Sequence, residues 1–227
     1  MNTATIEKAI KLLNEGDIIA LGDLLRFEYE KSVLQDNGKK ANVLTAVKRF
    51  IEGSRKNGYG KKIYGIMRSK DGKQAICNGY VLVKWKNEKN ELNALPQIPE
   101  TASIDVNHLL DYFNGIIGTA LSESDKIVLK NIDKFIKLNK DKSVSERFIE
   151  VEFGGRIFDA KMLKDLVDII GTDDITLYIP QRSYNLKIET PEAEAVICWL
   201  RLNFNESELK TVHKNTQDFI NKILARD

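Results

Sequence analysis

One pattern of apolar periodicity occurs twice in this sequence, and it limits the folds that are open to the chain. Residues 27–85 predict a strand, a helix and three strands, and residues 148–200 predict the same order again. One such unit alone would leave a sheet face and its edges exposed. Two units side by side, with both helices on one face of the sheet, bury those surfaces. We therefore expect an α+β fold built from two βαβββ halves.

Local signals place the elements inside these halves. Phe27, Tyr29 and Val33 alternate with polar residues, which is typical of a half-buried strand. The pair Asp71-Gly72 predicts a hairpin turn between two strands. Residues 160–170 have helical spacing of their apolar side chains and are followed by Gly171, a common helix stop.

The remaining segments predict helices around and between the halves. Residues 1–26 predict N-terminal helices, residues 27–85 the first half, and residues 86–146 a mostly helical insertion. Residues 147–202 predict the second half and residues 203–227 a C-terminal helix. We expect all five segments to belong to a single domain, because 227 residues is within the usual range for one.

The basic charge of the sequence is concentrated in one region. The whole chain has a net charge of only +2, yet residues 39–89 hold 14 basic and three acidic side chains, a local balance of +11. Such a region attracts polyanions. It predicts binding to nucleic acid, and the alternative is a solvated basic face that binds nothing.

The predicted helix over residues 41–53, or slightly beyond, presents part of this charge. Its apolar face contains Val47, Phe50 and Ile51. At about 100° per residue, the basic side chains turn away from that face or flank it. They are Lys48, Arg49, Arg55 and Lys56.

Five segments resemble a known family. They are FDAKMLKDLV at 158–167, DITLYI at 174–179, LKIE at 186–189, AVICWLRL at 195–202 and, less closely, AICNGYVLV at 75–83. The first four are similar to the C-terminal part of the bacterial DNA polymerase III beta clamp, a DNA sliding clamp. The resemblance implies the processivity fold, with the repeated unit described above.

The resemblance also implies a function. Sliding clamps are non-catalytic, and their helices turn basic faces toward the backbone of duplex DNA without reading its sequence. Here that role would pass to Lys48, Arg49, Arg55 and Lys56, and to Lys161 and Lys164 on the second helix, where Asp165 and Asp168 are interleaved. We expect a replication processivity or accessory factor of a phage or mobile element, with a DNA polymerase or other replication protein as partner, and a homo-oligomer.

The chain departs from the family at its C-terminal end. Clamp subunits close on an Arg-Leu pair that helps to form a groove for partner peptides, and Arg201-Leu202 is the matching pair here. Trp199 stands where proline is usual, and 25 residues follow Leu202. The sequence leaves open whether this groove is retained.

Two other functions fit the same residues. The first is a protein-interaction module that has the clamp fold and does not bind DNA. The second is a metal-dependent nuclease, in which Glu150, Glu152 and Asp159 with Lys161 would position Mg²⁺ and an attacking water. A strand with outward-facing glutamates followed by a helix N-cap explains these acids equally well.

The sequence predicts no catalytic residues, cofactor or metal. Cys77, Cys198, His108 and His213 lie far apart, without the spacing of a metal site. No apolar run approaches the roughly 18 residues that a membrane span requires, and the first residues lack the build of a signal peptide. We expect a cytoplasmic protein without a membrane partner.

Overall fold

The computed structural model describes residues 3–34, 39–56, 65–98, 105–145, 147–181, 183, 185–200 and 204–225. The α-helices in these residues are α1 (Thr3–Asn14), α2 (Ile18–Leu34), α3 (Lys39–Lys56), α4 (Val106–Asp111), α5 (Glu123–Lys130), α6 (Ile132–Asn139), α7 (Ala160–Ile170) and α8 (Glu206–Leu224). The strands are β1 (Met67–Arg68), β2 (Gln74–Cys77), β3 (Val81–Trp85), β4 (Thr119–Ala120), β5 (Glu150–Phe153), β6 (Arg156–Asp159), β7 (Thr176–Tyr178), β8 (Asn185–Glu189) and β9 (Ala193–Cys198). A 3-10 helix covers Asn90–Ala94.

The main sheet joins the two halves of the chain at its centre. Its strand order is β1-β2-β3-β9-β8-β7-β4, and every pair of neighbours is antiparallel. Each half contributes three consecutive strands, and the last strand of each half lies in the middle, where Val83 is opposite Ala195. The predicted α+β class is therefore confirmed. The clamp-specific fold stays a prediction.

Helices α3 and α7 lie side by side on one face of this sheet. The two helices contact each other directly, and α7 also contacts β3 and β9. Leu44 and Val47 of α3 share a buried cluster with Leu163 and Leu166 of α7 and with the central strands. The side chain of Asp159 caps the start of α7, and Gly171, at φ +79°, ends it. This arrangement agrees with the one expected from the repeat.

The predicted strand over residues 27–33 is wrong, because these residues continue helix α2. Leu24 and Phe27 are buried three positions apart, where α2 packs on α3 and on the 3-10 helix. The apolar residues in this segment are compatible with the period of a strand and with that of a helix. Packing against α3 favours the helix. In the described residues the first half is therefore a helix and three strands, while β5 and β6 form a separate hairpin in the second half.

In its described residues, the insertion between the halves contains four short helices and adds one strand to the sheet. It contains the 3-10 helix, α4, α5 and α6, and its strand β4 pairs with β7. On the sheet face away from α3 and α7, Val106, Leu110 and Phe113 cover the first three strands.

Segments of the insertion flank β1 and β7, the outermost strands of the two halves. At β1, the Ile66 N–H donates to the Pro96 carbonyl at 2.7 Å, and the Ile98 N–H donates to the Ile66 carbonyl at 2.8 Å. At β7, strand β4 follows Gly118, where a Cβ atom would lie 2.6 Å from the Thr176 side chain. Gly65 is equally confined, because a Cβ there would overlap the Pro96 carbonyl oxygen.

We predict opposite effects for alanine at two glycines. Gly65→Ala should lower the free energy of unfolding by about 1–3 kcal/mol, since the backbone around Pro96 must move to admit the methyl group. Gly53→Ala, on α3 with no atom within 4 Å of the new Cβ, should raise it by about 0.5–1 kcal/mol. Urea unfolding of the two variants measures both, and equal changes would contradict the assigned packing.

Candidate functional site

The first predicted DNA-binding residues lie between α2 and α7. The Lys48 ammonium is 3.5 Å from the centre of the Phe27 ring. The Arg49 guanidinium forms an ion pair with Asp168, and its Nε lies 3.8 Å from Asp165. Arg55 and Lys56 belong to the last turn of α3, and their side chains lie outside the described residues.

The predicted residues on the second helix differ in their surroundings. Lys161 is exposed near the start of α7. Lys164 is half-buried, 2.5 Å from Asp168 and 3.5 Å from Asp133 of α6. Arg49 and Lys164 therefore both form ion pairs with Asp168. The surface formed by α3 and α7 contains acidic as well as basic side chains.

Distant acids neutralise much of the basic region. The structure describes eight of the basic side chains in residues 39–89, and at least six of them form ion pairs with carboxylates. These six are Arg49, Arg68, Lys70, Lys84, Lys86 and Lys89. Four of the six form ion pairs with acidic residues outside 39–89. These partners are Asp105, Asp165, Asp168, Glu189 and Glu192. The net positive charge around these residues in the folded chain is therefore smaller than the balance of +11 in the sequence.

The acids of the nuclease alternative have separate partners. Buried Glu150 lies opposite Asp159 in the β5–β6 hairpin, and its carboxylate accepts hydrogen bonds from the Val144 and Ser145 N–H groups at 3.2 and 2.9 Å. Glu152 lies 2.6 Å from Nδ1 of His213. Burial raises the pKa of Asp159, against the opposing effect of the Lys161 N–H that it accepts. Within the described chain, no group of three or more His, Cys, Asp or Glu side chains could hold a metal.

A cleft of about 410 Å³ opens between the β5–β6 hairpin, the end of β9 and the start of α8. Its apolar lining comes from Ile157, Trp199, Leu200, Phe204, Leu209 and Val212. Its polar lining comes from Glu152, Arg156 and His213. The cleft is large enough for several side chains of a bound molecule.

Local sequence signals build the three walls. Gly154 and Gly155, at φ +55° and +68°, turn the hairpin and place Arg156 at the start of β6. The Leu200 N–H donates to the Ile157 carbonyl at 2.9 Å, which draws the chain after β9 along β6. Asn205 begins α8 with a reciprocal capping box to Glu208.

Arg156 is the most distinctive group in the cleft. Its guanidinium lies 4.3 Å from the Trp199 ring, and Nη1 donates to the Gly155 carbonyl at 3.1 Å. Its buried Nε has no hydrogen-bond partner among the described residues. A buried donor without a partner is costly. The charged guanidinium lines the cleft, and this suits an acceptor, such as a carboxylate, on a molecule that enters it.

Glu152 and His213 form the boundary with a second, smaller cavity. Both residues and Gly155 line this cavity of about 180 Å³, which also includes Asp125 and Thr216. The Thr216 hydroxyl accepts the Glu152 N–H at 3.1 Å, which helps to fix α8 against β5. The polar end of the larger cleft is therefore held by a hydrogen bond between β5 and α8.

Comparisons with protein-family models, curated proteins and solved structures found no match. The resemblance to sliding clamps accordingly stays a prediction. Trp199 of the suggested partner groove does line the cleft, whereas Arg201 and Leu202 lie outside the described residues. Among the described helices, none is both long and apolar enough to cross a membrane.

Sequence reasoning missed most of the cleft. Arg156 and His213 were not candidates for binding, because nothing local distinguishes them from surface residues. The Gly154-Gly155 turn and the unusual Trp199 were visible signals, but only the tertiary structure brings them beside α8.

The stacking of Arg156 on Trp199 can be tested by fluorescence quenching. Arg156→Ala should make Trp199 more accessible to acrylamide, because the guanidinium covers its ring. Trp85, the other tryptophan, is buried and should not contribute to the change. The control is Arg147→Ala, which removes a cation over Phe148 instead. Equal quenching of all three proteins would show that Arg156 does not cover the indole.

Proposed function

We propose that this chain is a non-catalytic protein-interaction module that binds a segment of a partner protein in the cleft. The observation that carries the proposal is Arg156, which is stacked on Trp199 in the wall of the cleft. An acidic group of the partner would pair with its guanidinium.

The lining favours a peptide segment as the occupant. Large apolar side chains around one arginine and one tryptophan are the composition of strong protein-binding sites. Leu209 is exposed at the rim, where a bound segment would cover it. The partner segment would therefore place an acidic residue beside one or two large apolar residues.

Selection of peptides from a random displayed library tests this proposal. Wild-type protein is expected to enrich peptides with an acidic residue next to large apolar ones. Arg156→Glu should weaken the binding of the enriched peptides by at least about tenfold, which corresponds to 1.4 kcal/mol of binding free energy. Arg147→Glu, an exposed arginine outside the cleft, is the matched control. Peptides that bind wild type and Arg156→Glu equally would contradict the proposal.

Binding to the backbone of duplex DNA is a second candidate. The +11 balance of residues 39–89 favours it, and Lys161 adds an exposed cation on α7. The acids around Arg49 and Lys164 oppose it, because they reduce the positive potential there. DNA binding would then depend on Lys48, Arg55, Lys56 and Lys161.

The salt dependence of DNA binding distinguishes the two candidates. Roughly four phosphate contacts predict a slope of log affinity against log salt of about −3 to −4. Arg55→Glu/Lys56→Glu should reduce the magnitude of this slope by about 2. Asp165→Asn/Asp168→Asn should instead strengthen binding, because it releases Arg49 and Lys164 from their ion pairs.

The control for these DNA measurements lies on α8. Lys210→Glu/Lys214→Glu makes the same charge change as the α3 variant at exposed lysines. An equal loss of affinity in both variants would indicate attraction to overall charge. Affinity that does not depend on salt would exclude the DNA candidate.

A further inference from the structure

Half of the exposed large apolar side chains in the described residues lie near the N-terminus. Of the 14 such side chains in the described residues, seven lie within residues 6–29. Isolated exposed apolar residues are ordinary, but a concentration of them marks an interaction surface.

Helix α1 is apolar over more of its circumference than its contact with α2 requires. Its half-buried residues are Thr5, Ala9 and Leu12, which share one side of the helix. Ile6, Ile10 and Leu13 form an adjacent stripe at the same spacing, and all three are exposed. No residue of α1 is fully buried.

Helix α2 is apolar on two sides. One side buries Leu24 and Phe27 where it packs on α3 and the 3-10 helix. Ile18, Ile19 and Leu25 lie away from that side and are exposed, Ile19 by 81%. A helix with apolar residues on both sides is normally covered on both. We call Ile6, Ile10, Leu13, Ile18, Ile19 and Leu25 the N-terminal patch.

Acidic side chains surround the most exposed part of the patch. Leu13, Ile18 and Ile19 lie next to the turn between α1 and α2. Glu15 and Asp17 are exposed at this turn, and Asp23 is exposed one turn of α2 beyond Ile19. Lys11 lies 3.8 Å from Glu15, and Arg26 is exposed one turn beyond Asp23, so three acidic side chains stand against two basic ones.

We propose that the N-terminal patch docks a basic amphipathic helix of a partner protein. The apolar face of that helix would cover exposed apolar side chains of the N-terminal patch, and its lysine or arginine side chains would face the acidic residues. A second copy of this chain is a poorer occupant, because it would bring an identical acidic rim against the first. This surface is separate from the cleft, whose lining comes from other elements.

Two designed peptides test the proposal. One is a helix of about 18 residues with leucine on one face and lysine on the other, and the second has glutamate in place of lysine. The leucine–lysine peptide should bind, and the leucine–glutamate peptide should bind at least about tenfold more weakly. Asp23→Lys should weaken the binding of the leucine–lysine peptide and reduce the salt dependence of that binding.

Variants of the patch locate the binding. Leu13→Ser/Ile19→Ser should weaken the leucine–lysine peptide by at least about tenfold, and both positions are exposed, so folding should be retained in circular dichroism. Ile117→Ser removes a side chain that is 87% exposed outside the patch and should leave binding unchanged. Arg156→Glu should also leave it unchanged, which separates this proposal from that for the cleft.

Four outcomes would overturn the proposal. The first is failure of the leucine–lysine peptide to bind, and the second is equal binding of the two peptides. The third is an equal loss of binding in Leu13→Ser/Ile19→Ser and Ile117→Ser. The fourth is a mass in light scattering that doubles with concentration and returns to the monomer in Leu13→Ser/Ile19→Ser, which would assign the patch to an interface between copies.

Discussion

The antiparallel pairing of β3 with β9 is the contact on which the rest of the structure depends. It joins the two halves of the chain through five residue pairs, with Val83 and Ala195 fully buried at its centre. Because the halves meet there, α3 and α7 can lie side by side and bury their apolar faces together. The cleft depends on the same pairing, since Trp199 and Leu200 directly follow β9.

Folding also redistributes charge between distant segments. Residues 39–89 are strongly basic in sequence, yet Arg49, Lys86 and Lys89 reach acids that lie in the second half of the chain. Exposed ion pairs contribute little stability individually. Together they reduce the potential that a polyanion would meet, and this is why local charge balance alone is weak support for a nucleic-acid site.

The parts of the fold with strong local signals could be predicted from sequence. The cap at Asp159 and the stop at Gly171 define α7, and Asp71-Gly72 turns the chain between β1 and β2. Residues 27–33 could not be assigned by periodicity, because burial of Phe27 against distant residues decided between helix and strand. The cleft could not be predicted from sequence for the same reason, because Arg156, Trp199 and His213 become neighbours only in the folded chain.

Gly65 and Gly118 determine how this sheet can meet other chains. By admitting a neighbouring segment beside β1 and β7, they let the backbone groups of Ile66 and Leu177 form hydrogen bonds within the molecule. A sheet with open edges can recruit strands from its neighbours and grow into fibrous aggregates. Where Ile66 and Leu177 are already paired, contact with another chain must instead use side chains, whose shape and charge discriminate between partners. Two residues without side chains thereby favour selective recognition over indiscriminate polymerisation.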